Sequence, residues 1–145
     1  RYGEDCNTKS FKFVGIQLDE FFTWKHYISV MRKKIACANF KINQCKNFIS
    51  TKPRLMLYNS MIKPHYEYGC MIWGGASEKE HRGLIVLQKK CIRNICNERK
   101  FAHTNLLFHR LSVLEFKDLF TLNCSIFMYC NSKDYTEPAR LKMFS

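Results

Sequence analysis

One apolar seam constrains the fold of this chain more than any other feature. Apolar side chains recur at alternating steps of four and three residues, at Trp24, Ile28, Met31, Ile35, Ala38, Ile42, Cys45 and Ile49. This spacing keeps one face of an α-helix apolar over about seven turns, whereas a strand would need a period of two. We therefore predict a long helix with Thr23 as its N-cap.

The other faces of this predicted helix carry positive charge only. Residues 21–66 contain nine Lys or Arg and no Asp or Glu, in a chain with a formal net charge of +12. Most solvated helices mix signs, because ion pairs between residues four apart stabilise them and like charges repel. The imbalance favours the phosphate backbone of a nucleic acid as partner. A merely solvated basic face and an acidic membrane surface are the alternatives.

The rest of the chain predicts a mainly α fold, a helical bundle of four to six helices preceded by one short β-strand or hairpin. Residues 11–16 alternate as a strand does, and Leu18 to Glu20 form a turn or a short second strand. Residues 54–63 are apolar on most sides, which is typical of a central, buried helix. Ser77 with Glu80 and Ser112 with Glu115 have the spacing of capping boxes.

Two further apolar stripes follow these capping boxes. The first contains Leu84, Leu87, Cys91 and Ile95, and the second contains Phe116, Leu119, Phe120, Asn123, Ile126, Phe127 and Cys130. We expect Trp24, Tyr58 and Phe127 to pack in the core, because each lies on an apolar stripe. Residues 131–145 are expected to fray.

Eight cysteines are present without a C-x-x-C pair or a repeated spacing. This pattern favours free thiols in a reducing compartment, so we expect an intracellular protein of the cytoplasm or nucleus. The five histidines lack the spacing of a zinc finger. No stretch approaches the ~20 apolar residues of a membrane span, so no membrane partner is expected.

Catalytic machinery is not evident in the sequence. A two-metal site needs clustered carboxylates, yet Asp19 and Glu20 are adjacent without a second acidic pair at strand spacing. Neither a nucleophile elbow nor a Walker-type glycine loop is present. We therefore predict no catalytic residue, no metal ligand and no cofactor in this chain.

Several segments resemble the reverse transcriptases of non-LTR retrotransposons, especially Jockey and CR1-like elements. The matching stretches, in the family's order, are FKFVGIQLD (11–19), TWKHYI (23–28), LYNSMIKPHYEYG (57–69), IWG (72–74), LQKKCIR (87–93), HTNLLF (103–108) and LEFKDL (114–119). The resemblance as a whole covers the chain from Phe11 to about Tyr129. The family's catalytic Ala-Asp-Asp motif does not occur here.

The resemblance implies three regions: a primer-grip-like β edge at 1–22, a helical thumb-like domain at 23–130 and a frayed tail at 131–145. It implies that Lys12, Phe13 and Gly15 lie near the primer strand, and that the first long helix flanks the template–primer duplex. The basic residues predicted to bind nucleic acid on that helix are Lys25, Arg32, Lys33, Lys34, Lys41 and Lys46.

The functional hypothesis is therefore a fragment of an RNA-directed DNA polymerase that grips an RNA–DNA template–primer. It is not catalytic alone, since the fingers, most of the palm and the carboxylates for the parent's Mg²⁺ are missing. One alternative is an inert remnant of a truncated element. Another is a helical protein-interaction module in which the Trp24 seam docks a partner helix.

Overall fold

In a computed structural model, the backbone is described for residues 10–142 and the side chains for residues 11–132. The described part contains a β-hairpin followed by seven helices. The elements are β1 (Ser10–Phe13), β2 (Ile16–Asp19), α1 (Lys25–Cys45), α2 (Thr51–Met61), α3 (Lys63–Glu67), α4 (Cys70–Trp73), α5 (Glu78–Cys96), α6 (Asn105–Leu111) and α7 (Phe116–Lys142). The predicted fold class, a helical bundle preceded by a hairpin, is confirmed. Within residues 10–142, no helix has the length and apolar character needed to cross a lipid bilayer.

The hairpin turns through Val14 and Gly15, whose φ angles of 46° and 78° are both positive. Two consecutive positive φ values define the tight turn whose twist suits a two-residue hairpin. A β-branched residue such as Val14 rarely adopts this conformation, so the turn needs support from its surroundings. Phe11 pairs with Leu18, Lys12 with Gln17 and Phe13 with Ile16.

The predicted seam of α1 forms the centre of the core. Trp24, Ile28, Met31, Ile35, Ala38 and Ile42 are all buried, which confirms the prediction for that part of the helix. Cys45 ends α1 and Ile49 lies beyond it, and both are only half-buried. Because the seam packs against α5 and α2 of its own chain, it is not free to dock a partner helix. Docking of a partner helix through the Trp24 seam is therefore contradicted.

The predicted caps are only partly correct. The Thr23 hydroxyl donates to Asp19 instead of capping α1, and Trp24, with φ of 61°, occupies the N-cap position. Ser77 does precede α5, although its side chain makes no capping hydrogen bond. Ser112 ends α6 in a left-handed conformation.

A buried glutamine replaces the predicted second capping box. Gln88 of α5 accepts a hydrogen bond from the backbone N–H of Phe116 at 2.9 Å, which satisfies a free donor at the start of α7. Its Nε2 donates to the Leu114 carbonyl at 3.0 Å and lies 3.2 Å from the Tyr58 hydroxyl. One side chain therefore joins α5 to α2 and to the start of α7.

The prediction that residues 54–63 form a buried central helix is wrong. Only Tyr58, Arg54 and Ile62 are buried there, and Met56 remains 70% exposed. Consecutive apolar residues on a helix point in different directions, and α1 and α5 cover only one side of α2. The Arg54 guanidinium donates to the carbonyl of Asn94 in the last turn of α5 at 3.0 Å. A cation is favourable at a helix C-terminus.

The last predicted stripe is buried only at its beginning. Phe116 and Leu119 are in the core, and Phe116 stacks on Trp73 with ring centroids 5.3 Å apart. Phe127 is 54% exposed, so the prediction that it packs in the core is wrong. The reason is that α4, with four residues, is too short to cover the later turns of α7. The α7 backbone remains helical to Lys142, past residue 131 where fraying was expected. Residues 143–145 of the predicted tail lie outside the described residues.

Candidate nucleic-acid interface

The two faces of the hairpin differ in chemistry, because successive side chains of a strand project to opposite faces. Phe13, Ile16 and Leu18 line an apolar hollow of about 400 Å³ that Tyr68 and Ile72 complete. Lys12 and Gln17 border a separate cavity on the other face. The hairpin thus separates an apolar surface from a basic one.

The cavity on the Lys12 side, which we call the basic groove, has a volume of about 530 Å³. It lies between the hairpin, α1 and α3, and the residues that carry its chemistry are Lys12, Gly15, Tyr27, Lys34, His65 and Tyr68. Three of the predicted site residues, Lys12, Gly15 and Lys34, therefore meet at one place. They come from two separate parts of the chain, the hairpin and α1.

Contacts at the end of α3 hold the hairpin in this position. The Tyr68 hydroxyl donates a hydrogen bond to the Val14 carbonyl, and this contact supports the strained turn. Gly69, with φ of 62°, allows the hairpin to approach closely, since a Cβ there would lie 2.5 Å from Cδ1 of Ile16. A side chain at Gly69 would push β2 away from α4.

Asp19 orders the segment between the hairpin and α1. Its carboxylate accepts hydrogen bonds from the Thr23 hydroxyl and from the backbone N–H of Trp24, the latter at 3.3 Å. Slight burial raises the pKa of Asp19, but these hydrogen bonds outweigh it and leave the pKa below its ordinary value. The acidic residue considered for a metal site thus has a structural role.

The basic groove is positive and contains no carboxylate among its lining residues. The ion pairs between described side chains are Lys63–Glu67, Lys89–Glu115 and Lys117–Glu78. None of them involves Lys12 or Lys34, so no described carboxylate neutralises either ammonium group. Burial lowers the pKa of His65, and the positive charge of Lys34 lowers it further. Burial and the neighbouring Tyr68 raise the pKa of Tyr27.

The structure distributes the other predicted site residues over different surfaces. Lys33 and Lys41 are exposed on α1, and Lys41 follows Lys34 by about two turns, on the same side of the helix. The Arg32 guanidinium instead packs against Gly83 of α5. A Cβ added at Gly83 would lie 2.5 Å from the Cζ atom of Arg32.

The remaining three predicted residues lie away from the basic groove. Lys25 and Lys46 stand at opposite ends of α1, about 30 Å apart for a helix of this length. Phe13 faces the apolar hollow. No single flat surface therefore unites the whole predicted set.

Three residues of the basic groove were not identified from the sequence as site residues. Tyr27 sits between two residues of the apolar seam, where an aromatic side chain indicates packing. His65 and Tyr68 lie in the segment LYNSMIKPHYEYG, whose resemblance to the family was noted without a role for either residue. The sequence signal that could have indicated their role is a histidine and a tyrosine three residues apart, directly after Pro64.

A metal centre is not formed by the described residues. No group of three or more His, Cys, Asp or Glu side chains in that part of the chain could hold an ion. The seven cysteines of the described part are free. Mg²⁺ requires clustered oxygen ligands. The described residues therefore do not form a site for the Mg²⁺ that a polymerase uses.

The chain is similar to RNA-directed DNA polymerases of mobile elements. It is 24% identical to a probable RNA-directed DNA polymerase from transposon X-element of Drosophila melanogaster. This match extends over 102 residues, or 68% of this chain. It is 25% identical over 114 residues, or 76% of the chain, to the RNA-directed DNA polymerase from mobile element jockey of Drosophila melanogaster. The jockey polymerase of Drosophila funebris is 23% identical over 101 residues, again 68% of the chain.

The matched segment makes up only 11–12% of the length of these relatives. No protein-family model matches the chain. No solved structure matches it either. The similarity supports a reverse-transcriptase-like region.

Proposed function

We propose that the chain is a segment of the RNA-directed DNA polymerase of a non-LTR retrotransposon, and that it holds the template–primer. The hairpin corresponds to the primer-grip edge of the polymerase, and the helices from α1 onward correspond to the thumb. The segment does not catalyse DNA synthesis alone. The Mg²⁺ ions and their carboxylates belong to the remaining part of the polymerase, and the protein acts in the cytoplasm or nucleus.

The observation that carries this proposal is the meeting of Lys12 and Lys34 in the basic groove. Residues 21–66 supply nine positive and no negative side chains, and Lys33, Lys34 and Lys41 among them are exposed on α1. Neither ammonium group forms an ion pair with a described carboxylate, and two such groups from separate elements favour the phosphate of a charged backbone as partner. The similarity to mobile-element polymerases supports nucleic acid as the source of that backbone.

The proposed mode of binding is independent of sequence. Lys33, Lys34 and Lys41 lie on the exposed faces of α1, which is 21 residues long and extends over about 30 Å. A helix of this length follows several consecutive phosphates of a duplex. Lysine contacts to phosphate position a duplex without reading its bases.

The test is binding of the purified chain to a labelled RNA–DNA primer–template at several salt concentrations. We expect affinity that falls steeply as salt rises, because each phosphate contact releases bound counterions. Charge reversal of Lys33, Lys34 and Lys41 to Glu should abolish binding. Arg32 is left unchanged, since its packing against α5 would confuse lost binding with lost stability.

The matched control reverses three exposed charges elsewhere, at Lys79, Arg99 and Lys100. This variant has the same net charge as the first, but its altered residues lie on α5 and the turn after it. It should retain most of the affinity. Equal loss in both variants would indicate a nonspecific effect of net charge, and full binding by the α1 variant would contradict the proposal.

A further inference from the structure

The basic groove contains chemistry that the lysines alone do not explain. His65 and Tyr27 project into it from two different helices, beside Lys12 and Lys34. The Tyr27 hydroxyl is a phenol that can donate a hydrogen bond into the groove, and burial raises its pKa further from neutral. The Tyr68 hydroxyl already donates to Val14, so it can only accept a further hydrogen bond.

This set of groups suits an anion with several oxygen atoms. Two ammonium groups, one protonated phenol and one imidazole converge on a cavity of about 530 Å³, and no carboxylate lines it. A phosphodiester has two anionic oxygens that accept charge-assisted hydrogen bonds from such donors. A base edge would need a mixture of donors and acceptors.

We propose that the basic groove binds one phosphodiester group of the nucleic-acid backbone, and that His65 is a ligand of that phosphate which takes up a proton on binding. This inference rests on the function proposed above and adds to it a defined phosphate site, with His65 and Tyr27 as ligands beside the lysines.

Proton uptake follows from the surroundings of His65. In the free chain, burial and the charge of Lys34 hold its pKa below the ordinary value. A bound phosphate places negative charge beside the imidazole and offers an acceptor, and both effects favour the charged form. The pKa of His65 is therefore higher in the complex than in the free chain, so affinity rises as pH falls through this interval.

His65 is the only histidine among the described residues that line the groove. Lys12 comes from β1, Lys34 and Tyr27 from α1, and Tyr68 follows α3, while Gln17 of β2 is uncharged. On α3 itself, Lys63 pairs with Glu67 at 3.4 Å. Histidine is the side chain whose charge ordinarily changes between about pH 5 and 8, so His65 is the groove residue expected to respond in that interval.

The first experiment measures the pKa of His65 by NMR titration of the full chain, with and without a short RNA–DNA duplex. The duplex carries no terminal phosphates, so that its own charge stays constant over this pH range. We expect the pKa of His65 to rise on binding, and the affinity to increase about three- to tenfold between roughly pH 7.5 and 5.5.

Two variants and one control test the assignment of His65 as the phosphate ligand that takes up a proton. His65→Gln should weaken binding, most strongly at acidic pH, and should lose most of the pH response. Lys34→Ala should weaken binding, and in the absence of nucleic acid it should raise the pKa of His65 towards its ordinary value. His26→Gln is the matched control, because His26 is exposed on α1 outside the groove, and it should keep the pH response.

The outcomes separate this inference from the proposed function. Salt-dependent binding without a change in the pKa of His65 would overturn the phosphate site and leave the proposed function intact. Absence of binding at low salt by a folded chain would overturn both. The NMR measurement uses the unaltered chain, so a variant that fails to fold does not remove the test.

Discussion

The hydroxyl of Tyr68 donates a hydrogen bond to the carbonyl of Val14. This contact joins the tip of the hairpin to the end of α3 across 54 residues of sequence. It supports a valine with positive φ, a conformation that is unfavourable for a β-branched residue. The same contact fixes the position of Lys12 relative to Lys34, so the shape of the basic groove depends on it.

Tyr68→Phe should loosen the hairpin without unfolding the bundle. The variant loses one hydrogen bond, which is worth about 1 kcal/mol, while the ring remains in place. We expect faster amide hydrogen exchange in β1 and β2 and several-fold weaker binding of the RNA–DNA duplex. The amides of α5 serve as the internal control, and their exchange should not change. Unchanged exchange in the hairpin would show that the contact does not support it.

Gln88→Leu should be strongly destabilising. Gln88 is buried and bonded to the Leu114 carbonyl and the Phe116 N–H, so its loss leaves both groups unsatisfied. We expect the free energy of unfolding to fall by about 2–3 kcal/mol in chemical denaturation. Gln44→Leu is the matched control, because Gln44 is exposed on α1. Its effect should stay within about 0.5 kcal/mol. Equal effects would show that the buried contacts of Gln88 do not contribute.

Much of the fold could be predicted from periodicity, because residues on the buried face of a helix recur at regular spacing and are mostly apolar. The seam of α1 from Trp24 to Ile42 is buried as predicted, and so are Leu84, Cys91 and Ile95 on α5. The same reasoning failed for Phe127. Periodicity shows which face of a helix is apolar, but it does not show how far a neighbouring helix extends over that face.

The caps and the groove could not be predicted for a related reason. Threonine is a common N-cap residue, but the Thr23 hydroxyl donates its hydrogen bond to Asp19 instead. The start of α7 is satisfied by Gln88, which lies 28 residues earlier. The basic groove similarly joins Lys12, Lys34 and His65 through tertiary packing. The sequence indicated the charge of α1 but not which lysine has a histidine and a hairpin beside it.

Asp19→Ala should destabilise the chain in a pH-dependent manner. Because the folded-state pKa of Asp19 is lowered, its stabilising contribution is complete above the unfolded-state value near 4 and disappears as pH falls through the folded-state value. We therefore expect a loss of about 1 kcal/mol at neutral pH that shrinks at acidic pH. Thermal melting at several pH values measures it, with Glu20→Ala, an exposed neighbour, as control. A difference that stays constant down to about pH 2 would contradict the assigned role of the carboxylate.

Phe116→Ala and Phe127→Ala form a matched pair on α7 that tests whether the chain folds as one cooperative bundle. Phe116 is buried and stacks on Trp73, so its truncation should cost about 3–5 kcal/mol. Phe127 is 54% exposed, and its truncation should change stability by no more than about 0.5 kcal/mol. The denaturant-induced unfolding of both variants should remain cooperative, and the two unfolding midpoints should differ clearly. A broad, uncooperative transition that neither substitution shifts would favour an inert remnant, because a chain without a packed core does not distinguish a buried phenylalanine from an exposed one.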